Sequence, residues 1–302
     1  AANTNSITGA VWFWRKKNNS TNSAYCSVNS SGIYVDNGDA TQTNPSGIVR
    51  TGQGFFVQLK SGYTSSTLQF TNTMRTADTA NQFFRNGNSA AEAANDNHGI
   101  WLNLTNDAGL FSQMYAGYAN NATIGIDEGL DVPYINDAPN VLSNLIEGGE
   151  YSIQTRPLPF SPADQIPVQV RVEGAGTYSI AADHTSGIFA QGQAAYLYDT
   201  EQGTVHNLAN GPYTFEAGAG TMASRFRLVF QDAALGSAAA EAIAGATVYT
   251  NASGITVYSG AQMITDVKIY DLRGRLLYSN AGVKANRSEE RRVGKECRSR
   301  WS

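Results

Sequence analysis

The sequence predicts an all-β fold, and three observations predict it. Short runs alternate apolar and polar residues, as in Ile100 to Leu104 and Val267 to Tyr270, the period of a strand with one buried face. Turn residues (Gly, Asn, Asp and Pro) separate these runs roughly every eight to twelve residues, the spacing of a β-sandwich. The one segment of helical composition, Ser89 to Ala94, is too short and too Asn-rich to stand as a helix by itself.

Taken in order, residues 1–75 read as a β-rich module. Ala10 to Trp14 is an aromatic strand, followed by a polar turn at Arg15 to Asn19. Tyr25 to Val35 holds one or two strands, closed by Asp36 and Gly38. In Ile48 to Leu59, Gly52 and Gly54 suit a bend or bulge, and Phe55, Val57 and Leu59 supply one face. Ser66 to Phe70 closes the block. Residues 76–98 form a polar connection, and 99–232 read as a β-sandwich-like domain. Its strands are expected at Ile100 to Leu104, Phe111 to Tyr118, Glu150 to Thr155, Ile166 to Val172, Gly176 to Ala181, Ala194 to Tyr198, Val205 to Leu208, Tyr213 to Glu216 and Arg225 to Phe230. Asn106 to Gly109 is a hairpin turn. Residues 233–246, rich in Ala, Gly and Ser, read as a linker.

Composition narrows the function. The chain of 302 residues carries 21 Lys and Arg against 25 Asp and Glu, and six of those bases lie in residues 287–302 with three of the acids. The remainder holds 15 basic and 22 acidic residues, a poor match for nucleic acid or an anionic membrane surface. Charged residues make up 15% against about 25% in typical domains. Asn, Thr, Ser, Gly and Tyr take their place, as in many exported β-proteins. No apolar run approaches the ~20 residues of a membrane-spanning helix. Cys297 lies in the C-terminal tail, leaving Cys26 as a small buried or half-buried residue without a disulfide partner.

Candidate chemistry is sparse. His98, His184 and His206 show no spacing for a zinc site and read as surface or turn residues. No nucleophile elbow or phosphate-binding glycine loop is present. Asp127 and Asp131, with Asp107 and Asp137, are the best metal candidates, but they lack the alternation of a dedicated calcium loop and read first as turn builders. The sequence therefore gives no catalytic residue, no metal site and no cofactor. Trp12, Phe13, Trp14, Tyr115, Tyr118, Tyr196 and Tyr198 suit either a core or a sugar-stacking platform. Strand alternation turns every second ring inward and favours the core, with at most one of the Trp12/Trp14 and Phe13 faces free.

The C-terminal part carries the most specific signal. Gly254 to Ser259 is a strand, and Val267 and Ile269 alternate with Lys268 and Tyr270. Asp271 to Gly274 has turn chemistry, and Arg275 to Tyr278 returns as the partner strand. Val267, Ile269, Tyr270, Asp271, Gly274, Arg275 and Leu276 closely resemble the central hairpin of the type A C-terminal sorting domain of type IX secretion. The resemblance covers residues 247–286 and implies part of a β-sandwich sorting domain whose later strands are missing. It also implies type IX machinery in the outer membrane as partner, and a secreted or surface-anchored location. Residues 287–302 look like an adaptor-like tail foreign to the fold. Val11 to Trp14, Gly52 to Val57 and Phe70 to Arg75 resemble a module that precedes such sorting domains in large exported proteins. An export address without a leader reads as a piece of a longer chain.

The expectation is two β-sandwich-like modules followed by a partial sorting domain. In function it is the non-catalytic, adhesin-like C-terminal region of an exported protein, with a surface polysaccharide or another cell-surface ligand as partner. The alternatives are the accessory region of an exported hydrolase and a carbohydrate-binding module.

Overall fold

The structure, a computed structural model, describes residues 3–15, 22–38, 48–49, 51–75, 97–231, 247–251, 254–258, 264–270, 276–285 and 287–290. It is all-β: the described helical elements are two single-turn 3₁₀ segments, Asn72–Met74 and Leu208–Asn210. The chain divides into two compact units, Ala1–Asp232 and Ala233–Ser302. The turn at 16–19, the helical stretch at 89–94 and the linker at 233–246 lie outside the described residues.

The first unit begins with β1 (Ile7–Trp14), β2 (Tyr25–Val28), β3 (Tyr34–Val35) and β4 (Phe55–Leu59), in the order β3-β2-β1-β4. Ser66 to Phe70, expected to close the β-rich block, joins no ladder. The Asn3 amide holds it by bonding both the carbonyl and the N–H of Gln69 (3.0 and 2.8 Å).

A second sheet holds β5 (His98–Thr105), β6 (Phe111–Ala119), β7 (Val132–Pro133), β8 (Val141–Ile146), β9 (Gly149–Pro157), β10 (Gln165–Val172), β11 (Gly176–Ser186), β12 (Tyr196–Asp199), β13 (Thr204–Asn207), β14 (Tyr213–Ala217) and β15 (Gly220–Val229). Its order is β13-β12-β15-β10-β8-β9-β6-β5-β11-β14, with β7 beside β9. Every pair is antiparallel except β6 with β9. The sheet curls until β14 meets β15: Phe215 stands 4.7 Å from Phe226, and the Arg225 guanidinium donates to the Glu216 carbonyl. Ile100, Leu102, Leu104, Met114, Val168 and Phe226 fill the interior. Each such side chain contributes roughly 1.5–3 kcal/mol by leaving water.

β7 and β8 lie outside the strands expected from sequence. Val141 to Ile146 is buried on both faces, so its residues do not alternate. Glu147 and Gly148, with φ of +50° and +83°, turn β8 into β9 as a two-residue I′ hairpin.

The strands of this sheet have a second apolar face. Trp101, Tyr115 and Ile153 point away from the interior, and Ala10, Trp12, Ile33 and Val35 of the first sheet cover them together with Val132. Gly99 and Gly117 make room: a Cβ at either would lie within 2.2 Å of the Tyr115 ring or hydroxyl. Trp101 donates its indole N–H to the Tyr34 carbonyl (2.7 Å), and the Ser27 and Ser152 hydroxyls pair at 2.9 Å. The blocks expected as modules 1–75 and 99–232 thus share a core inside one compact unit.

In the second unit, β16 (Thr247–Asn251) pairs with β17 (Gly254–Tyr258), and β18 (Ile264–Tyr270) pairs with β19 (Leu276–Ala285). The expected hairpin is the β18–β19 pair, with Val267 opposite Asn280, Ile269 opposite Tyr278 and Tyr270 opposite Leu276. Its turn residues Asp271, Gly274 and Arg275 lie outside the described residues. Val267 is buried and Leu276 exposed, so these two do not share one buried face. A further strand, β20 (Arg287–Glu290), pairs with β17. It falls within the segment expected to stand outside the fold. Ladder hydrogen bonds come from the backbone, so Arg287 to Glu290 can pair without any apolar period.

An aromatic groove as the candidate binding site

The first sheet brings together rings that lie far apart in sequence. Trp12 is paired with Phe56 across β1 and β4, and Trp14 with Tyr25 across β1 and β2. Residues directly opposite in an antiparallel pair share a face, so these four rings share one. Tyr25 and Phe56 sit 5.5 Å apart with planes tilted by 54°. Trp12, buried at one end of the row, enters the core shared with the second sheet. Trp14 and Phe56 overhang it and are 52% and 53% exposed. Phe13, on the opposite face, is buried against Val28.

Beside this row runs a groove of about 390 Å³ lined by Trp12, Phe56, Val57, Gln58, Pro133, Tyr134 and Ile135. Its far wall is fixed in place. The Trp12 indole donates to the Pro133 carbonyl (3.2 Å), and the Tyr134 N–H donates to the Glu150 carbonyl (2.9 Å). The Tyr134 hydroxyl donates to Asp137 (3.1 Å), whose other oxygen accepts from the Ala24 N–H (2.7 Å). Burial, reinforced by the Asp137 carboxylate, pushes the Tyr134 phenol well above its ordinary value, so it stays a neutral donor. The groove therefore offers flat apolar surface with amide and hydroxyl groups at its rim.

The remaining aromatic candidates are structural. Tyr115 and Tyr118 are core residues, while Tyr196 and Tyr198 are half-buried on β12. The three histidines stay apart. The His98 ring accepts from the Ile188 N–H, His184 stacks on Trp101 at 4.0 Å beside Asp183, and His206 meets the Gly211 carbonyl at 2.9 Å. Asp127 accepts from the Thr123 N–H and hydroxyl, and Asp131 from the backbone N–H groups of Asp127 and Thr155. Asp107 sits in the turn built by the Asn106 side chain, which accepts from the Ala108 and Leu110 N–H groups. Among the described residues no three His, Cys, Asp or Glu side chains are grouped to hold a metal ion. The Cys26 thiol is buried, which pushes its pKa up to about 12, beside Arg15.

Fold and groove together define a layered, all-β module with an exposed aromatic face. No curated protein and no solved structure matches the chain. Residues 1–230 match the family described as a domain of unknown function (DUF8693), and the chain belongs to that family. Residues 237–296 match a second domain of unknown function (DUF8694). The two matches fall on the two compact units, and the second extends past Arg287.

Proposed function

We propose that this chain is the non-catalytic, adhesin-like C-terminal region of an exported cell-surface protein. Its first unit binds a surface polysaccharide in the aromatic groove, and its second carries a type IX sorting signal read by the outer-membrane machinery. The observation that carries the binding role is the overhang of Trp14 and Phe56. Both rings are about half exposed, Phe56 in the groove wall and Trp14 beside it on the same face of the sheet, and apolar sugar faces stack on such rings much as bases do. The buried charged groups serve the fold: Asp199 holds Arg225, and Asp164 holds Arg156. The β18–β19 hairpin supports the sorting role by placing the resembling segment on two paired strands.

Titrating the protein with soluble oligosaccharides while following tryptophan emission tests the first role. Trp14→Ala and Phe56→Ala should each weaken binding by about 1–3 kcal/mol, the range for one stacked ring. Unchanged affinity in both variants removes the groove from the account. For the second role, replacing Val267 and Ile269 by Asp in the full gene product should strand it in the periplasm of a host that runs the pathway. Undiminished surface display of that variant would rule the hairpin out as the signal.

A further inference from the structure

A second cleft lies away from the aromatic groove, where the large sheet parts. β10 pairs with β8 from Val168 to Arg171, so Gln165 to Pro167 lie beyond that ladder. β9 pairs with β8 as far as Tyr151 and joins β6 from Ile153 onward. Between these diverging strands opens a cleft of about 450 Å³, lined by Ile124, Gly125, Leu145, Ile146, Glu147, Gln154, Arg156, Gln165 and Pro167.

Three of its features point to a ligand. Gln154 is 1% exposed, yet its side-chain oxygen has no hydrogen-bond partner among the described residues. That oxygen has no accessible surface and costs stability where it stands, which leaves the amide nitrogen of the same side chain as the end that meets the cleft. Arg156 is held rigid by Asp164, with Nε and Nη2 at 2.8 and 2.9 Å from its two oxygens, and Tyr118 donates to the same carboxylate at 2.7 Å. The loop that supplies Ile124 and Gly125 is pinned by the Asp127 and Asp131 bonds described above. It also sits close enough to Glu147 that a Cβ on Gly125 would lie 3.3 Å from that carboxylate.

We propose that this cleft binds one uncharged, hydroxyl-rich ring, a hexopyranose unit, at a site independent of the aromatic groove. A sugar hydroxyl both donates and accepts. It can donate to the Glu147 carboxylate, and accept from the Gln154 and Gln165 amides and the Arg156 guanidinium. Ile124, Ile146 and Pro167 receive its apolar face. An anion would meet Glu147 and Asp164, and a cation would meet Arg156, so a neutral ligand fits best. A volume of a few hundred Å³ with few convergent polar groups is the usual form of a small-molecule site.

The test uses the whole chain with isoleucine methyls labelled for NMR, titrated with glucose, galactose and mannose and, separately, with the dipeptide Ala-Ala. At least one hexose should shift the Ile124 and Ile146 methyls and leave the Trp14 indole unmoved. Gln154→Leu should abolish that shift and, by removing the unpaired oxygen, raise Tm by a few degrees. Gln165→Ala, at the mouth, should weaken the shift at least threefold without changing Tm. The proposal falls if no hexose moves those methyls, if the shift survives in Gln154→Leu, or if only the dipeptide produces it.

Discussion

Asp131 and Asp199 are both almost wholly buried, at 2% and 0% exposure, and burial drives both carboxyls upward. They end on opposite sides of the ordinary value. Asp199 ends β12 opposite Phe226 of β15, and Arg225 reaches it with Nη2 at 2.8 Å and Nε at 3.1 Å, while the Tyr213 hydroxyl donates at 2.9 Å. These bonds overcome burial and hold Asp199 below the usual carboxylate range. Asp131 accepts two backbone N–H bonds at 2.7 Å, and Arg156 beyond it is engaged with Asp164. Burial wins there and lifts Asp131 to about 6. Burial sets the cost, and the committed counter-charge decides the sign. The cation sits where the curled sheet closes on itself, and the loop beside the polar cleft goes without one.

The comparison breaks most visibly if Asp199 loses its cation. Arg225→Met should destabilise the first unit by about 3–5 kcal/mol, the cost of leaving a buried charge unpaired. Urea unfolding at pH 7 measures it. A loss under about 1 kcal/mol would mean that Asp199 does not depend on Arg225.

The smaller effect sharpens the other half. The folded-state value of Asp131 is raised, so its favourable contribution is complete below the unfolded value near 3.8 and is lost as pH rises through about 6. Asp131→Asn removes that titration. With one of the two backbone N–H groups then facing an amide NH₂, the variant should start below the wild type near pH 4 and gain on it by about 2–3 kcal/mol between there and pH 7, at about 1.4 kcal/mol per unit. Asp199, held low, has the opposite sign: its contribution is present above the unfolded value and disappears as pH falls through the folded one. Unfolding curves between pH 4 and 8 decide. Identical pH profiles for wild type and Asp131→Asn would show that Asp131 is not the titrating group.

The alternating strands were legible because their apolar residues recur at every second position: Ile100, Leu102 and Leu104 read correctly, as did the turn at Asn106 to Gly109. The layering was hidden. Trp101 and Trp12 pack together from strands almost ninety positions apart, and nothing local marks their faces as complementary. β8 was missed because residues buried on both faces carry no period. Trp14 was visible as an aromatic, but nothing local marked it as exposed. Gln154 sits in a polar alternation, Ser152, Gln154 and Arg156, that mimics a solvated face, yet all three are buried. Arg225 and Asp199 meet across twenty-six positions with no motif to join them.

The position of β15 bears on how quickly the molecule can be made. This last strand of the first unit lies between β12 and β10, pairing Val229 with both Gln165 and Tyr196. The interior of the sheet is thus completed by the final residues of the unit to be synthesised, and the hydroxyl pair Ser27–Ser152 closes a loop of 125 positions. Contacts so distant in sequence must repay loop-closure entropy before they stabilise anything, which places folding in the millisecond-to-second range rather than the microsecond one.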